Sequence, residues 1–415
     1  MHPTDLSRRA AIAAAALALL AACAETGGDK TTAAAAPAPV RMLPSPAAPG
    51  SGEPSLAVGE DGRVHLSWLE PGEGGMHRLR MSTLQGDRWS APHTVAKSTD
   101  MMVNWADFPT LSAMPGGRMA AHWLQKRPGK GFAYDIRVAV SPDGGVTWSK
   151  GVVPHRDGVA AEHGFVSLWP EAADSAGMVW LDGRKYAGSG AKETMLMAAF
   201  IRPDGTVSPE RPVDERICDC CQTGMAMTAR GPLVVYRDRS PDEVRDIYVT
   251  RRVNGVWTPG VPVARDGWKI DACPVNGPRA DAQGDRVVVA WFTGANDARQ
   301  VKLALSTDAG ATFGAPVRID GGNPEGHVDV KMIDGGAAVV SWMERAASGG
   351  GGELRVRRVE ADGRMGAPHA VETSATLRSS GFPRMARDSG GVVLAWTASG
   401  KPSAVHVARL TVPRD

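Results

Sequence analysis

One hydrophobic pattern recurs along most of the chain. A short apolar run, usually preceded by a Gly-containing turn, ends in an aromatic residue and a polar loop. The copies are Val64–Trp68, Met119–Trp123, Gly177–Trp180, Leu233–Tyr236, Val287–Trp291, Ala338–Trp342 and Val392–Trp396. Their aromatic positions are 55, 57, 56, 55, 51 and 54 residues apart. Each run leads into an alternating segment such as Asp135–Val140 or Asp246–Thr250, and often on through a tight turn to a further strand, as from Val256-Trp257 to Val263. Four short strands per unit of roughly 50 residues, with no helical periodicity, predict an all-β chain built of propeller blades. A long sandwich would not keep so constant a spacing. Seven copies predict seven four-stranded blades; six blades and a stray hairpin is the competing count. The seventh copy stops after its third strand, Ala404–Val412, so a strand near Arg41 is expected to complete it and close the ring.

Composition changes the picture first at the N-terminus. Arg8 and Arg9, the apolar run Ala10–Leu19 and then Leu20-Ala21-Ala22-Cys23 have the layout of an export signal. The segment resembles a bacterial lipobox, which implies that Cys23 is lipidated and becomes the first mature residue. An ordinary signal peptide with a chance cysteine is the alternative. Ser7-Arg8-Arg9 also resembles the opening of a twin-arginine signal. The apolar run is too short for a stable transmembrane helix. Membrane attachment is therefore expected through lipid alone, on the periplasmic side of the envelope or at the outer membrane. Ala-, Pro-, Gly- and Thr-rich residues follow with too little apolar surface to fold, so a tether is expected. The expected division is a signal over 1–22, a lipidated tether over 23–53, part of which could add a strand, and the propeller over 54–415. The formal net charge of +2 falls to +1 without residues 1–22, which hold Arg8, Arg9 and Asp5. Neither a basic field nor a nucleic-acid-reading motif is present, which argues against a nucleic-acid partner.

Two turns carry a family resemblance. Ser141-Pro142-Asp143-Gly144-Gly145-Val146-Thr147-Trp148 matches the pattern Ser-x-Asp-x-Gly-x-Thr-Trp in full, and Ser306–Phe313 matches with Phe for Trp. Degenerate versions stand at Arg202–Thr206 and Glu360–Gly363. The chain resembles the sialidase-like Asp-box (BNR repeat) propellers over about residues 54–415. The box itself is a turn, in which the Asp accepts backbone N–H bonds and the Gly takes an unusual φ. The resemblance places it between strands three and four, away from the usual binding face.

Propeller topology sorts the loops into two faces. Loops from strand four to the next strand one share a face with loops from strand two to strand three. The first kind carries Asn104–Phe108, Glu162–Phe165, Cys218–Cys221, Asp271–Gly277, Glu325–Asp329 and Arg378–Phe382. The second kind adds Asp182, Arg184 and Tyr186, then Arg237, Asp238 and Arg239, then Glu344 and Arg345. Every cysteine except Cys23 is on this face. Three of them, Cys218, Cys220 and Cys221, lie within four residues, and Cys273 opens the next blade.

Disulfides are the plain expectation for an exported chain. One bridge from Cys273 is reasonable, but a second within Cys218–Cys221 would be strained. The sharper expectation is a soft-metal site of Cys218, Cys220, Cys221 and Cys273, assisted by His163 or His327, which read as equivalent positions. Such ligands favour Cu(I) or Zn. Met225 and Met227 could add thioethers, although strand alternation favours packing. Asp271, Asn276 and Asp182 are candidates for binding a small ligand.

The family resemblance also implies a possible sialidase site. That chemistry uses an Arg clamp on a carboxylate, a Tyr nucleophile with a Glu, and an Asp acid/base. By this resemblance Asp107 would be the acid/base, Tyr186 or Tyr236 the nucleophile, and Arg184, Arg237, Arg239 and Arg345 the clamp. The Arg-Ile-Pro motif of the family's first blade is absent; the nearest match, Phe382-Pro383-Arg384, is in the last. Expected partners are therefore a metal ion, a small ligand or a glycan, with an envelope protein as the remaining alternative if the cysteines are structural.

Overall fold

The computed structural model describes residues 40–129, 131–172, 174–188, 191–346, 351–375 and 381–411. Cys23 and the signal-like segment, together with Arg378, Ser379, Ser380 and Val412, lie outside the described residues. The described chain forms seven antiparallel sheets, one for each copy of the repeat. They are the blades of a propeller, numbered here 1 to 7 from the N-terminus. The innermost strands are Gly52–Val58, Leu111–Ala113, His163–Ala172, Gly224–Thr228, Arg279–Gln283, Pro324–Met332 and Arg384–Asp388. Together they line an axial channel of about 500 Å³.

The repeated apolar runs are the second strands of the blades. Their placement follows from packing: a strand buried on both faces reads as a continuous hydrophobic run. Trp68, Trp180, Trp291, Trp342 and Trp396 are fully buried between blades, and Tyr236 takes the same slot in blade 4. A buried indole N–H needs an acceptor. Trp68 donates to Glu70 (2.9 Å), Trp180 to Asp182 (2.8 Å) and Trp342 to Glu344 (2.6 Å), each two residues on. Trp291 donates instead to Asp266 (2.7 Å), and the Tyr236 hydroxyl to Asp214 (2.6 Å).

Blade 7 is completed from the other end of the chain. Val40–Leu43 pairs antiparallel with Ala404–Leu410, with Val40 opposite Leu410 and Leu43 opposite Val407. Residues 40–43, within the span assigned to the tether, thus belong to the propeller. The count is seven blades.

The two matching octapeptides fold into the same turn after the third strand. Asp143 accepts from the Thr147 amide (2.8 Å) and hydroxyl (2.7 Å), as Asp308 does from those of Thr312 (2.9 and 2.6 Å). Gly145, at φ 89°, leaves no room for a side chain, because a Cβ there would meet the Met81 sulfur at 2.1 Å.

Three innermost strands start with a bulge. Register shifts fall at Gly52/Ser55, Gly164/Ser167 and Gly326/Asp329. Each contains a non-glycine residue at positive φ: Glu53 (52°), Phe165 (54°) and His327 (52°). Bulges re-aim side chains, and here they do so where the strands meet the loop-rich face.

Candidate functional site

The cysteine loop is held from several directions. The Cys218 amide donates to the Arg237 carbonyl (3.0 Å). Gln222, next after the cysteines, spans three blades: its Nε2 donates to the Ala106 carbonyl (2.7 Å), and its Oε1 accepts from the Gly277 amide (3.0 Å). Thr223 donates to the Phe165 carbonyl (2.9 Å) and meets the Ser167 hydroxyl at 2.7 Å. The residues following the cysteines therefore lock the loop to blades 2, 3 and 5.

That loop brings three thiols together and Cys273 from the next blade adds a fourth, none of them in a disulfide. The sulfurs of Cys218 and Cys221 are 3.3 Å apart, and those of Cys218 and Cys220 are 3.9 Å apart. Ligand atoms of Cys218, Cys220 and Cys221 all lie within 4.8 Å of one another, and so do those of Asp219, Cys220 and Cys273. Cys220 is thus common to both groups. Burial opposes ionisation of Cys218, yet the thiols of Cys220 and Cys221 and the Arg237 guanidinium outweigh it and hold Cys218 well below the ordinary thiol range. Arg245 adds to this field, with Nη1 3.5 Å from the Cys218 sulfur and 3.2 Å from Asp219. Contact with Cys220 also lowers Cys273, whereas Cys220 is pushed up by Cys218 and its other thiol neighbours, and Cys221 by burial. The cluster therefore sets two thiols whose ionisation is favoured beside two whose ionisation is opposed.

The thiols border a pocket of about 430 Å³ on the face predicted from topology. Cys220, Cys273 and Asp219 form one wall, while Tyr134, Glu162 and Tyr186 face them. Behind Tyr134 is Asp107, which is buried and accepts from the Tyr134 hydroxyl (2.8 Å) and the Phe165 amide (2.7 Å). Burial pushes the Asp107 carboxyl up to about 7. Burial and the nearby Asp219 likewise raise Glu162. Gly164 makes this approach possible, since a Cβ there would lie 1.9 Å from Asp107 Oδ2.

The histidines are elsewhere. His163 Nε2 meets Asp157 at 2.9 Å and its ring stacks on His155. His327 Nδ1 bonds the Gly381 carbonyl (2.8 Å), and its ring stacks on Phe382. Neither belongs to a thiol group among the described residues. Nor are the two equivalent. Gly164 pairs with Leu181 and Gly326 with Met343, so His327 corresponds to Phe165 and His163 to Glu325. A two-residue offset separates the histidines in the repeat, which corrects the sequence reading.

The arginines do not converge as a clamp, because each is committed to its own partners. Arg184 binds Asp182 through two hydrogen bonds and pairs with Glu210 (2.9 Å). Arg237 donates to the carbonyls of Arg245, Asn276 and Phe292 and lies over Trp268. Arg239 is held by Glu243 and the Lys192 carbonyl, and Arg345 by Glu325. Asp182 serves Trp180 and Arg184. Asn276 bridges blades through the His327 amide (2.8 Å) and the Glu325 carbonyl (3.0 Å). Asp271 is exposed beside the thiol loop, and Tyr186 is 46% exposed at the pocket rim. Met225 and Met227 line the axial channel, away from the thiols.

Sequence reasoning assigned no role to Tyr134, Glu162 or Arg245. Glu162 stood in a loop assigned to the right face. Tyr134 and Arg245 also sit where second strands hand over to third strands, so loop sorting could have included them.

No protein-family model and no curated protein matches the chain. Among solved structures it is similar to the BP39L lectin from Burkholderia pseudomallei, with a TM-score of 0.55 at 13% identity over 85% of this chain and 97% of that one. It is also similar to the NanB sialidase from Streptococcus pneumoniae, with a TM-score of 0.46 at 11% identity over 90% of this chain and 71% of that one. For the GH93 α-L-arabinofuranosidase of Fusarium graminearum the TM-score is 0.47 at 13% identity, over 89% and 97%. At such identities the likeness is one of fold alone, in keeping with the seven-bladed β-propeller described above.

Proposed function

We propose that this propeller binds a soft metal ion, Cu(I) or Zn, through Cys218, Cys220, Cys221 and Cys273, and presents it to the pocket bordered by Tyr134 and Glu162. One observation carries the reading: four free thiols from two loops gather around Cys220 at a pocket wall. A tetrahedral Zn with bonds to sulfur of about 2.3 Å needs sulfurs about 3.8 Å apart, close to the 3.3 and 3.9 Å found here. The Arg237 and Arg245 charges favour the thiolate that a metal requires. The His163 and His327 imidazoles have no part in it. Lipidation of Cys23 would hold the site at the cell envelope.

The test is metal content and a free-thiol count on the chain purified without chelator. One Cu or Zn per chain is expected at the thiols, and Cys220→Ala should lower the metal content by about one per chain. A chain with neither metal nor reactive thiols would sink the reading and make the loop a disulfide staple.

A glycan-directed reading rests on a different observation. Tyr134 and Glu162 line the same pocket, and the Asp107 carboxyl, near neutrality, accepts from Tyr134 behind it; these are the residue types that retaining sialic acid chemistry employs. Release of a fluorophore from aryl sialosides and arabinosides tests it. Asp107→Asn should then lower turnover by roughly 100-fold or more; no turnover by the unaltered chain retires it.

A further inference from the structure

A second cluster of ligating side chains lies between blades 2 and 3, apart from the thiols. The strand alternation that turns Glu162 and Gly164 to the pocket turns His163 away from it. There its ring stacks on His155, with centroids 3.7 Å apart and planes 2° from parallel. His155 follows the outermost segment of blade 2, which bridges Val138 through Val152. Asp135 is the second residue of the third strand of that blade, Tyr134–Ser141, and Asp182 pairs with His163 in blade 3.

These imidazoles are enclosed but poorly satisfied. The side chains are 1% (His155) and 0% (His163) exposed. Both nitrogens of His155 and Nδ1 of His163 lack a hydrogen-bond partner. The closest carboxylate oxygens to His155 are those of Asp135 at 3.4 Å and Asp157 at 3.7 Å, beyond hydrogen-bond length. Leaving a buried polar atom unpaired costs about 1–3 kcal/mol, so an arrangement with three such nitrogens calls for a ligand.

Charge gives the ligand its sign. Four carboxylates, Asp135, Asp157, Asp182 and Glu210, are matched here by two guanidiniums, Arg127 and Arg184. Two negative charges are left over. Arg184 is bound chiefly to Asp182, so Asp157 also faces the histidines.

We propose that His155, His163 and Asp135 hold a divalent first-row transition cation that ties blade 2 to blade 3, separate from the thiol site. Two imidazoles with carboxylates select Zn, Co, Mn or Fe(II) over Cu(I), which prefers sulfur, and over Ca, which prefers oxygen alone. Bonds of about 2.0–2.2 Å place ligand atoms roughly 3.3 Å apart around a tetrahedral ion. The 3.4 Å between His155 Nε2 and Asp135 is close to that value, and one ligand atom each of Asp135, His155 and His163 lie within 4.8 Å of one another.

Co(II) titration of the full chain after chelator treatment tests the site independently of the thiols. Proton NMR should show hyperfine-shifted imidazole N–H resonances at one Co(II) per site, and metal should raise the thermal unfolding midpoint. In His155→Phe, which keeps a stacked ring but no ligand, those resonances should vanish. Any thiolate-to-cobalt charge-transfer band should survive there, because the Cys cluster is untouched. Asp135→Asn, with almost unchanged shape, should also lose the resonances and covers the case in which His155→Phe does not fold. Co(II) binding without imidazole resonances in the unaltered chain, or resonances unchanged in both variants, overturns the proposal. A charge-transfer band that never appears would count against the thiol site alone.

Discussion

Asp107 shows how burial of single groups sets a pH dependence. Its carboxyl sits near 7 in the fold and near 3.8 when unfolded. The folded state therefore holds the proton more tightly, and this contribution is fully present below pH 3.8 and lost as pH rises through about 7. Glu53 and Asp238, each raised by burial to about 7, act in the same sense. His122, His155 and His327 act in the opposite one. Burial lowers them from 6.5 to about 3, 4 and 4, so their contribution is present above pH 6.5 and lost as pH falls. The two sets oppose each other between about pH 4 and pH 6.5, which should give a shallow profile. Asp107→Asn removes one member of the acid set and keeps an acceptor for the Phe165 amide. Relative to the unaltered chain it should gain on the order of 2–4 kcal/mol between about pH 4 and pH 7. Urea unfolding of both proteins at the two ends of that range measures it. A difference that does not change with pH would contradict the placement of Asp107.

Among the elements, Val40–Leu43 is short and has the largest consequence. Four residues complete blade 7, and Leu43 is buried with Trp68, Val405 and Val407. Leu43→Ala should cost about 2–5 kcal/mol, and deleting Val40–Leu43 should lower the thermal midpoint further while exposing Ala404–Leu410 as a free edge prone to association. Thermal scans with light scattering would check both. A deletion that leaves midpoint and solubility unchanged would show that the strand is dispensable. The bulges are elements of another kind. Glu53, Phe165 and His327 have side chains that rarely take positive φ, so nothing in their identity announced the bulge. Their consequence is local: the bulge at Phe165 aims its amide at Asp107, and the one at His327 aims its amide at Asn276.

At the level of the whole molecule, the ring was legible because each blade repeats one buried aromatic at nearly constant spacing, and hydrophobic periodicity survives sequence divergence. The face that carries the thiols was legible for the same reason, since strand order alone decides where a loop emerges. The convergence of Cys273 on Cys220 followed from adjacency of blades. What alternation hides is which way a loop residue points. His163 is sequence neighbour to two pocket residues and faces away from both. Which arginine meets which carboxylate depends on side-chain reach between strands, so the commitments of Arg184 and Arg239 had no sequence signature, and neither did the His155–His163 stack.

Closure of blade 7 also bears on the order of events as the chain acquires its shape. The first described strand and the last are partners, and Ser51 accepts from the Val405 amide across the same seam. Every other blade is assembled from contiguous chain, whereas this one needs both ends at once. A nascent chain can therefore build blades 1 to 6 in sequence but must wait for its C-terminal strand before the circle is sealed. Long-range closure of this kind is slow.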